Sequence, residues 1–309
     1  MRPSSQLGSV QRILLIGFGA VTAAGISGCS GGVLDPAGPV GANDSKILID
    51  ATMIMLAIVI PTILLAFWIA WKYRAWNTKA EYLPYWSYSG RVEAVVWSIP
   101  ILTIMFIGGV IWIGSNRLDP FRPLPSKVPP LEVQVVSLDW KWLFIYPQHG
   151  IATVNQLVVP AGVPVHFSIT SASVFNTFFV PRLGSMIYAM PGMVSQLNLQ
   201  ADRPGVLFGL SGHFSGDGFS DMQFQVKSVP PPQFEAWAAG VKTAAGPALD
   251  SPTYAKLAQQ SQAVPPLAFR AVDPRLFLAI ASQKVPPGPG PEPENSQHAG
   301  REVSTGGRH

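Results

Sequence analysis

Two apolar stretches, 47–71 and 95–113, constrain this chain more than anything else in it. The first is almost free of charge after Asp50, and the second carries no charge at all, with Glu93 standing at its entrance. Each is long enough to cross the roughly 30 Å hydrocarbon core of a bilayer as a helix, which takes about 20 apolar residues. Each also holds an internal proline, Pro61 and Pro100, which membrane helices tolerate when neighbours satisfy the freed carbonyl. A helical hairpin over 46–115, with helices at about 47–71 and 93–113, is the expected reading. The connecting loop carries Lys72, Arg74, Lys79 and Arg91 against Glu81, with Trp76, Tyr82, Tyr85, Trp86 and Tyr88 as interfacial aromatics. The excess of basic residues puts this loop in the cytoplasm and both outer ends in the periplasm.

The N-terminal segment supports the same topology. Arg2 and Arg12 precede an apolar run from Ile13 to about Ala24, and small residues lead into Cys29, the single cysteine of the chain. This is the pattern of a secretory signal over 1–28, and the run is too short to span. Ile26-Ser27-Gly28-Cys29 reads as a bacterial lipobox, in which Cys29 receives a diacylglycerol and becomes the new N-terminus. Residues 29–45, rich in Gly, Pro and Asp, suit a periplasmic tether.

Only 12% of the 309 residues are charged and 48% are hydrophobic, against about a quarter charged in a soluble domain. The basic isoelectric point, near 9.2, does not indicate nucleic acid: no basic helix or aromatic–basic platform occurs, and much of the positive charge flanks the apolar stretches.

After a proline-rich linker at 116–130 the hydrophobic period changes to two. Val133 and Val135, then Val163, Val165, Phe167 and Ile169, then Met222, Phe224 and Val226 alternate with polar residues. Turn signals rich in Pro and Gly separate the runs, the mark of an all-β sandwich or barrel. Residues 131–228 suffice for one such core. His166 lies on an alternating strand as a polar-face residue. Residues 285–309, dominated by Pro, Gly, Ser and Glu, are expected to be disordered.

Three stretches carry a family resemblance: Asp139-Trp140-Lys141-Trp142, Ser173 to Pro181, and Ser211 to Met222. They resemble subunit II of the haem–copper respiratory oxidases, whose periplasmic domain has a cupredoxin-like fold. In the cytochrome c branch that domain holds a dinuclear copper centre on one His and a Cys-x3-Cys-x3-His-x2-Met loop. Laid on this sequence, the ligand positions are Asn176, Ser211, Ser215, Phe219 and Met222, and the backbone-oxygen donor is His213. Soft thiolates are what such a site selects. Serine hydroxyls stay protonated at neutral pH, Met222 is a weak ligand, and His213 alone does not make a site. No metal, cofactor or catalytic residue is expected in this chain.

That vacancy resembles the quinol-oxidising branch, the bo-type ubiquinol oxidases, and residues 229–284, with Phe234, Trp237, Tyr254, Phe269 and Phe277, resemble the aromatic-rich C-terminal extension of these oxidases. The resemblance implies that haems, the haem–copper centre and quinol oxidation belong to subunit I. This chain would then be a non-catalytic partner of subunits I, III and IV in the bacterial inner membrane, meeting membrane lipid and, through the complex, ubiquinol. It further implies a role for Glu93. In these oxidases a glutamate in the setting Glu-x3-Trp-x2-Pro, matched by Glu93, Trp97 and Pro100, lies at the entry of a proton path. From the residues alone Glu93 reads equally as an interfacial carboxylate beside Arg91. Gly108, Gly109, Trp97 and Trp112 are compatible with helix–helix packing. The competing reading is a free-standing membrane-tethered lipoprotein whose β domain binds a ligand or partner.

Overall fold

The computed structural model describes residues 32–81 and 83–290. The signal peptide, Cys29 and the tail beyond 290 lie outside the described residues, as does Tyr82. Helix α1 spans Pro39–Lys72 and α2 spans Gly90–Arg117, and both are long and apolar enough to cross a membrane. At about 1.5 Å per residue, the 34 residues of α1 reach about 51 Å. That exceeds the hydrocarbon thickness by some 20 Å, so the polar first turns of α1 stand clear of the apolar run. Within the two helices, the hydroxyls of Thr52, Thr62, Thr103 and Ser115 each donate to the carbonyl four residues back, so these four are satisfied without water. At the loop end, Lys72 lies over the Trp68 ring and Arg74 over Trp71, 4.8 and 4.4 Å from the ring centres, an arrangement suited to an interfacial belt.

The helices meet where Gly114 of α2 lies against Ile47 of α1; a Cβ there would come within 2.8 Å of the Ile47 Cδ1. Gly108 and Gly109 face open space, and Trp97 and Trp112 are exposed. The hairpin contact therefore uses Gly114 and leaves Gly108, Gly109, Trp97 and Trp112 on outward faces.

The β domain is a two-sheet sandwich. Its strands are β1 Leu131–Leu138, β2 Lys141–Tyr146, β3 Ile151–Val154, β4 Gln156–Pro160, β5 Pro164–Ser171, β6 Asn176–Phe179, β7 Ile187–Ala189, β8 Ser195–Gln200, β9 Gly205–Ser211 and β10 Gln223–Val229. The extension adds helices α3 Pro231–Thr243, α4 Ser251–Leu257 and α5 Leu276–Ala281. It also contributes strands β11 Ala248–Leu249, β12 Leu267–Phe269 and β13 Ala271–Val272. One sheet runs β12-β3-β2-β1-β5-β8 and the other β4-β10-β9-β6-β7, while β11 and β13 pair separately. Strands β1 and β5 are parallel, as are β10 and β4.

Burial in β2 shows how the layers stack. All six of its residues are buried, which an alternating strand with one wet face does not allow. Trp142, Phe144 and Tyr146 point into the sandwich core with Phe167, Phe178 and Phe224. Leu143 and Ile145 point the other way, into a second core with Tyr254, Phe269, Phe277 and Ile280 of the extension. The extension is thus a third layer over one sheet. Tyr146, fully buried, keeps its phenol satisfied by donating to the Val158 carbonyl at 3.1 Å and accepting from the Val158 N–H at 2.8 Å. Burial pushes its pKa far up.

Two stretches depart from expectation. Residues 39–45, read as tether, form the first turns of α1, where Pro39 suits the N1 position. They are docked on the β domain: the Ala37 N–H donates to the Arg182 carbonyl at 2.7 Å and the Gly41 N–H to the Leu183 carbonyl at 2.9 Å. Arg182 pairs with Asp35 at 2.7 Å, and Ser185 donates to Asp44 at 2.9 Å. Gly38 is required, since a Cβ would lie 1.9 Å from the Gln200 carbonyl oxygen. Residues 285–290, assigned by composition to the disordered tail, pack back onto the domain, the Gly288 N–H donating to the Ala172 carbonyl at 2.9 Å.

Past α2 the chain is held as well. His166 bonds Asn198 Oδ1 at 3.0 Å, and the amide nitrogen of that side chain donates to the Pro120 carbonyl at 3.0 Å. Because the Asn198 oxygen accepts, the imidazole Nδ1 carries the proton. His166 is therefore more than a polar-face residue: it orients the amide that grips the linker. Both helices end on β8, α2 through Asn198 and α1 through Gly38 against Gln200.

Candidate functional site

The positions that the resemblance aligns with copper ligands converge at one pole of the sandwich. Asn176 opens β6 and Ser211 closes β9. Between Ser211 and Met222 the loop keeps a fixed course: the Ser211 N–H donates to the Met222 carbonyl at 3.1 Å, and the Trp140 indole N–H donates to the Ser215 carbonyl at 2.9 Å. Gly218 lies on the face of Trp140, where a Cβ would come within 2.6 Å of the ring. A short 3-10 turn, Phe219–Asp221, brings the chain into β10.

Within that frame the side chains bond one another. The Asn176 amide donates to the Ser137 hydroxyl at 2.8 Å, and the Ser211 hydroxyl donates to Asn176 Oδ1 at 2.7 Å. Ser215 faces the Met222 sulfur at 4.0 Å. Asn176, Ser211, Ser215 and Met222 are all buried, so a chain of neutral hydrogen bonds fills the pole. Phe219 is half-buried against Phe214, with ring centres 5.7 Å apart. The His213 ring leans edge-on against Phe175 at 4.7 Å. Two hydroxyls, an amide, a phenyl and one thioether do not fit a thiolate-bridged copper pair: the hydroxyls hold their protons and the amide is already committed. Among the described residues no cluster of three or more His, Cys, Asp or Glu is placed to hold a metal ion.

Glu93 lies far along the chain from this pole, in the first turn of α2, where its N–H donates to the Ser89 carbonyl at 3.0 Å. A carboxylate there is favoured by the positive end of the helix. The structure does not bring Glu93 together with the vacated positions.

A buried polar cluster that sequence reasoning missed lies between the sandwich and its third layer. Lys141, 1% exposed, donates from Nζ to the Asp139 carbonyl at 2.9 Å, the Gln259 carbonyl at 2.7 Å and the Ser261 hydroxyl at 2.6 Å. The Asp139 carboxylate accepts from Ser173 and from the Gly290 N–H, the latter at 2.9 Å. Burial pulls the Lys141 pKa down to about 8, and the Asp139 charge opposes that shift. The available signal was a lysine between two tryptophans, in a strand whose other outward residues are apolar.

Comparisons with known proteins agree with this architecture. Residues 133–229 match the family described as cytochrome C oxidase subunit II, periplasmic domain, and residues 244–288 match the COX aromatic rich motif. The chain is 46% identical over 277 residues to a cytochrome bo(3) ubiquinol oxidase subunit 2 of Pseudomonas aeruginosa, covering 90% of this chain and 83% of the relative. It is 48% identical over 260 residues to a ubiquinol oxidase subunit 2 of Acetobacter aceti, covering 84% of each. With a quinol oxidase subunit 2 of Bacillus cereus identity falls to 35%, over 69% of this chain and 74% of the relative. Two helices of membrane-spanning length, a cupredoxin-like sandwich, an aromatic extension folded over it and relatives matched along most of their length lead to one assignment. The chain belongs to the family of bo-type ubiquinol oxidase subunit II, part of an oxidoreductase complex.

Proposed function

We propose that this chain is a non-catalytic subunit of a proton-translocating quinol oxidase, with electrons passing from ubiquinol to oxygen in subunit I and none relayed through the β domain. The observation that carries this reading is the hydrogen-bonded run Ser137–Asn176–Ser211, in which Asn176 and Ser211 are positions that the resemblance aligns with ligands of a copper relay. A soluble one-electron donor needs such a relay; a lipid-soluble quinol reaches the membrane subunit directly. Ubiquinol is favoured because the relatives above 40% identity named here are ubiquinol oxidase subunits. Metal analysis of the purified complex tests the reading. Copper is expected only in the amount of the haem–copper centre of subunit I; additional copper tracking this chain would overturn it.

In this reading the helix hairpin packs on subunit I, the β domain covers its periplasmic face, and subunits III and IV complete the assembly. Glu93 collects cytoplasmic protons at the start of α2. Glu93→Gln is expected to lower oxygen-reduction turnover several-fold in the assembled enzyme while haem content stays the same. Unchanged turnover would reduce Glu93 to a carboxylate that stabilises a helix end.

Cys29 carries the lipid. Mass spectrometry of the mature N-terminus is expected to find a diacylglycerol-modified Cys29, and an intact Met1 would overturn both cleavage and lipidation. The matched length and the third layer over the sandwich favour this subunit over a free-standing lipoprotein, which would purify without haem.

A further inference from the structure

A cleft opens where the membrane helices meet the β domain. Its upper part, about 610 Å³, lies between the first turns of α1, the last turn of α2, the proline-rich run after it and the loop around Met186. That volume lies within the range of roughly 300–1,000 Å³ typical of small-molecule sites. Below it a second cavity of about 240 Å³ descends between α1 and α2, lined by Ile47, Val110 and Ile113, and it shares Asn43, Arg117 and Leu118 with the upper part. The two adjoin through these shared residues, and the lower one combines the apolar Ile47, Val110 and Ile113 with Asn43, Lys46, Asp50 and Arg117.

The cations sit at a defined height. Lys46 immediately precedes the apolar run of α1, and Arg117 lies four residues, about 6 Å, beyond Ile113, where the apolar run of α2 ends. Both stand at the level of lipid headgroups, on opposite helices, and Arg122 adds a third charge to the upper cavity. None of the three makes an ion pair among the described residues. Two carboxylates share the lining: Asp119, whose oxygen already accepts the Phe121 N–H at 3.0 Å, and Asp50, one turn below Lys46. Positive charge is in excess where an anionic headgroup would lie.

We propose that this cleft binds a membrane phospholipid, with its phosphate diester held by Lys46, Arg117 and Arg122 and one acyl chain lying between α1 and α2. Arginine and lysine placed together at the membrane surface favour a phosphate, and the apolar Ile47, Val110 and Ile113 in the same cavity favour a phosphate attached to a hydrocarbon chain. The proposal rests on the reading that both helices cross the membrane.

The test uses the assembled oxidase in bilayer nanodiscs carrying phosphatidylglycerol or phosphatidylethanolamine with a photoreactive group on the acyl chain. Adducts are expected on peptides containing 46–50 and 110–118. Labelling by both lipids marks recognition of the phosphate itself, and labelling by phosphatidylglycerol alone marks selection for net negative charge. Arg117→Gln with Arg122→Gln is expected to lower adduct yield about tenfold or more, the scale of removing two surface cations facing an anionic headgroup. Val110→Trp, which fills the lower cavity and leaves the cations, should also abolish labelling there, while Lys79→Gln in the opposite loop should not. Excess inorganic phosphate should leave the yield unchanged; displacement would reveal a bare anion site and overturn the proposal. Should the variants not assemble, the wild-type map decides: adducts spread evenly along the helices, or a partner polypeptide crosslinked in the cleft, overturn it. Absence of adducts on either helix would count against the membrane reading itself.

Discussion

Full-length protein carrying Asn176→His, Ser211→Cys, Ser215→Cys and Phe219→His is expected to bind two copper ions and turn purple, with a mixed-valence two-metal signature in electron paramagnetic resonance. The expectation follows from the frame that survives around the vacated pole. Ser211 and Ser215 lie on one loop whose ends are pinned together by the Ser211 N–H and the Met222 carbonyl, and Asn176 reaches Ser211 across the strands at 2.7 Å. Met222 and the backbone of His213 are already in place, and the Ser211 hydroxyl lies 3.3 Å from the His213 carbonyl. Two thiolates supply the soft bridging donors that hydroxyls cannot, and two imidazoles complete the set. The conversion is from no copper affinity to a coloured centre, the largest change expected of any variant considered. The two cysteines alone, without the histidines, should bind copper without the full signature. A variant that folds with native far-ultraviolet dichroism yet stays colourless with copper would show that the loop positions had been matched to the wrong residues.

Lys141→Met should loosen the extension from the sandwich, at a cost of about 2–4 kcal/mol for removing a buried, fully hydrogen-bonded cation. Its ammonium joins β2 to Gln259 and Ser261 across the layer boundary, and methionine fills similar space without replacing those donors. Limited proteolysis near 259–261 should accelerate in the variant, and unchanged cleavage would remove the clamp from this account. The pH dependence carries an independent sign. Folding lowers the Lys141 pKa from its ordinary value near 10.5 to about 8, so between these values the unfolded chain holds a proton that the folded one has released. Stability therefore rises with pH across that window, because the unfolded state binds more protons there. Below about pH 8 the cost of burying the charge is present in full. Denaturation midpoints at about pH 7.5 and about pH 10 should show this rise in the wild type and a smaller one in Lys141→Met.

Much of the architecture was legible because its signals are local. The apolar runs of α1 and α2 follow from length and uniform apolarity, the strand pattern of β5 from a period of two, and the extension from its resemblance to those of related oxidases. That the pole offers no thiolate is read directly from the sequence, whose only cysteine lies at position 29. What escaped depends on contacts distant in sequence. Residues 39–45 look like tether by composition, yet the Arg182 carbonyl accepts the Ala37 N–H just before them and the Leu183 carbonyl accepts the Gly41 N–H, which fixes a helix start there. The segment 285–290 is rich in proline and glycine, and it is ordered by Ala172 and Asp139, about 120 to 150 residues earlier in the chain. Lys141 breaks the rule that a strand lysine faces water because the extension covers the face on which it would have been wet. Gly114, unlike Gly108 and Gly109, meets the other helix; that choice depends on the rotation of α2 about its axis, which its nearly uniform apolarity does not encode.

Strand β8 receives both membrane helices, one at Asn198 and the other at Gln200. Together with the bonds from residues 182–185 to the start of α1, this gears helix hairpin and sandwich, and neither can swivel on the other without breaking the Asn198 amide bond or pulling Gly38 off the sheet. A neighbour that grips the hairpin within the bilayer thereby sets the compass bearing of the whole periplasmic lobe.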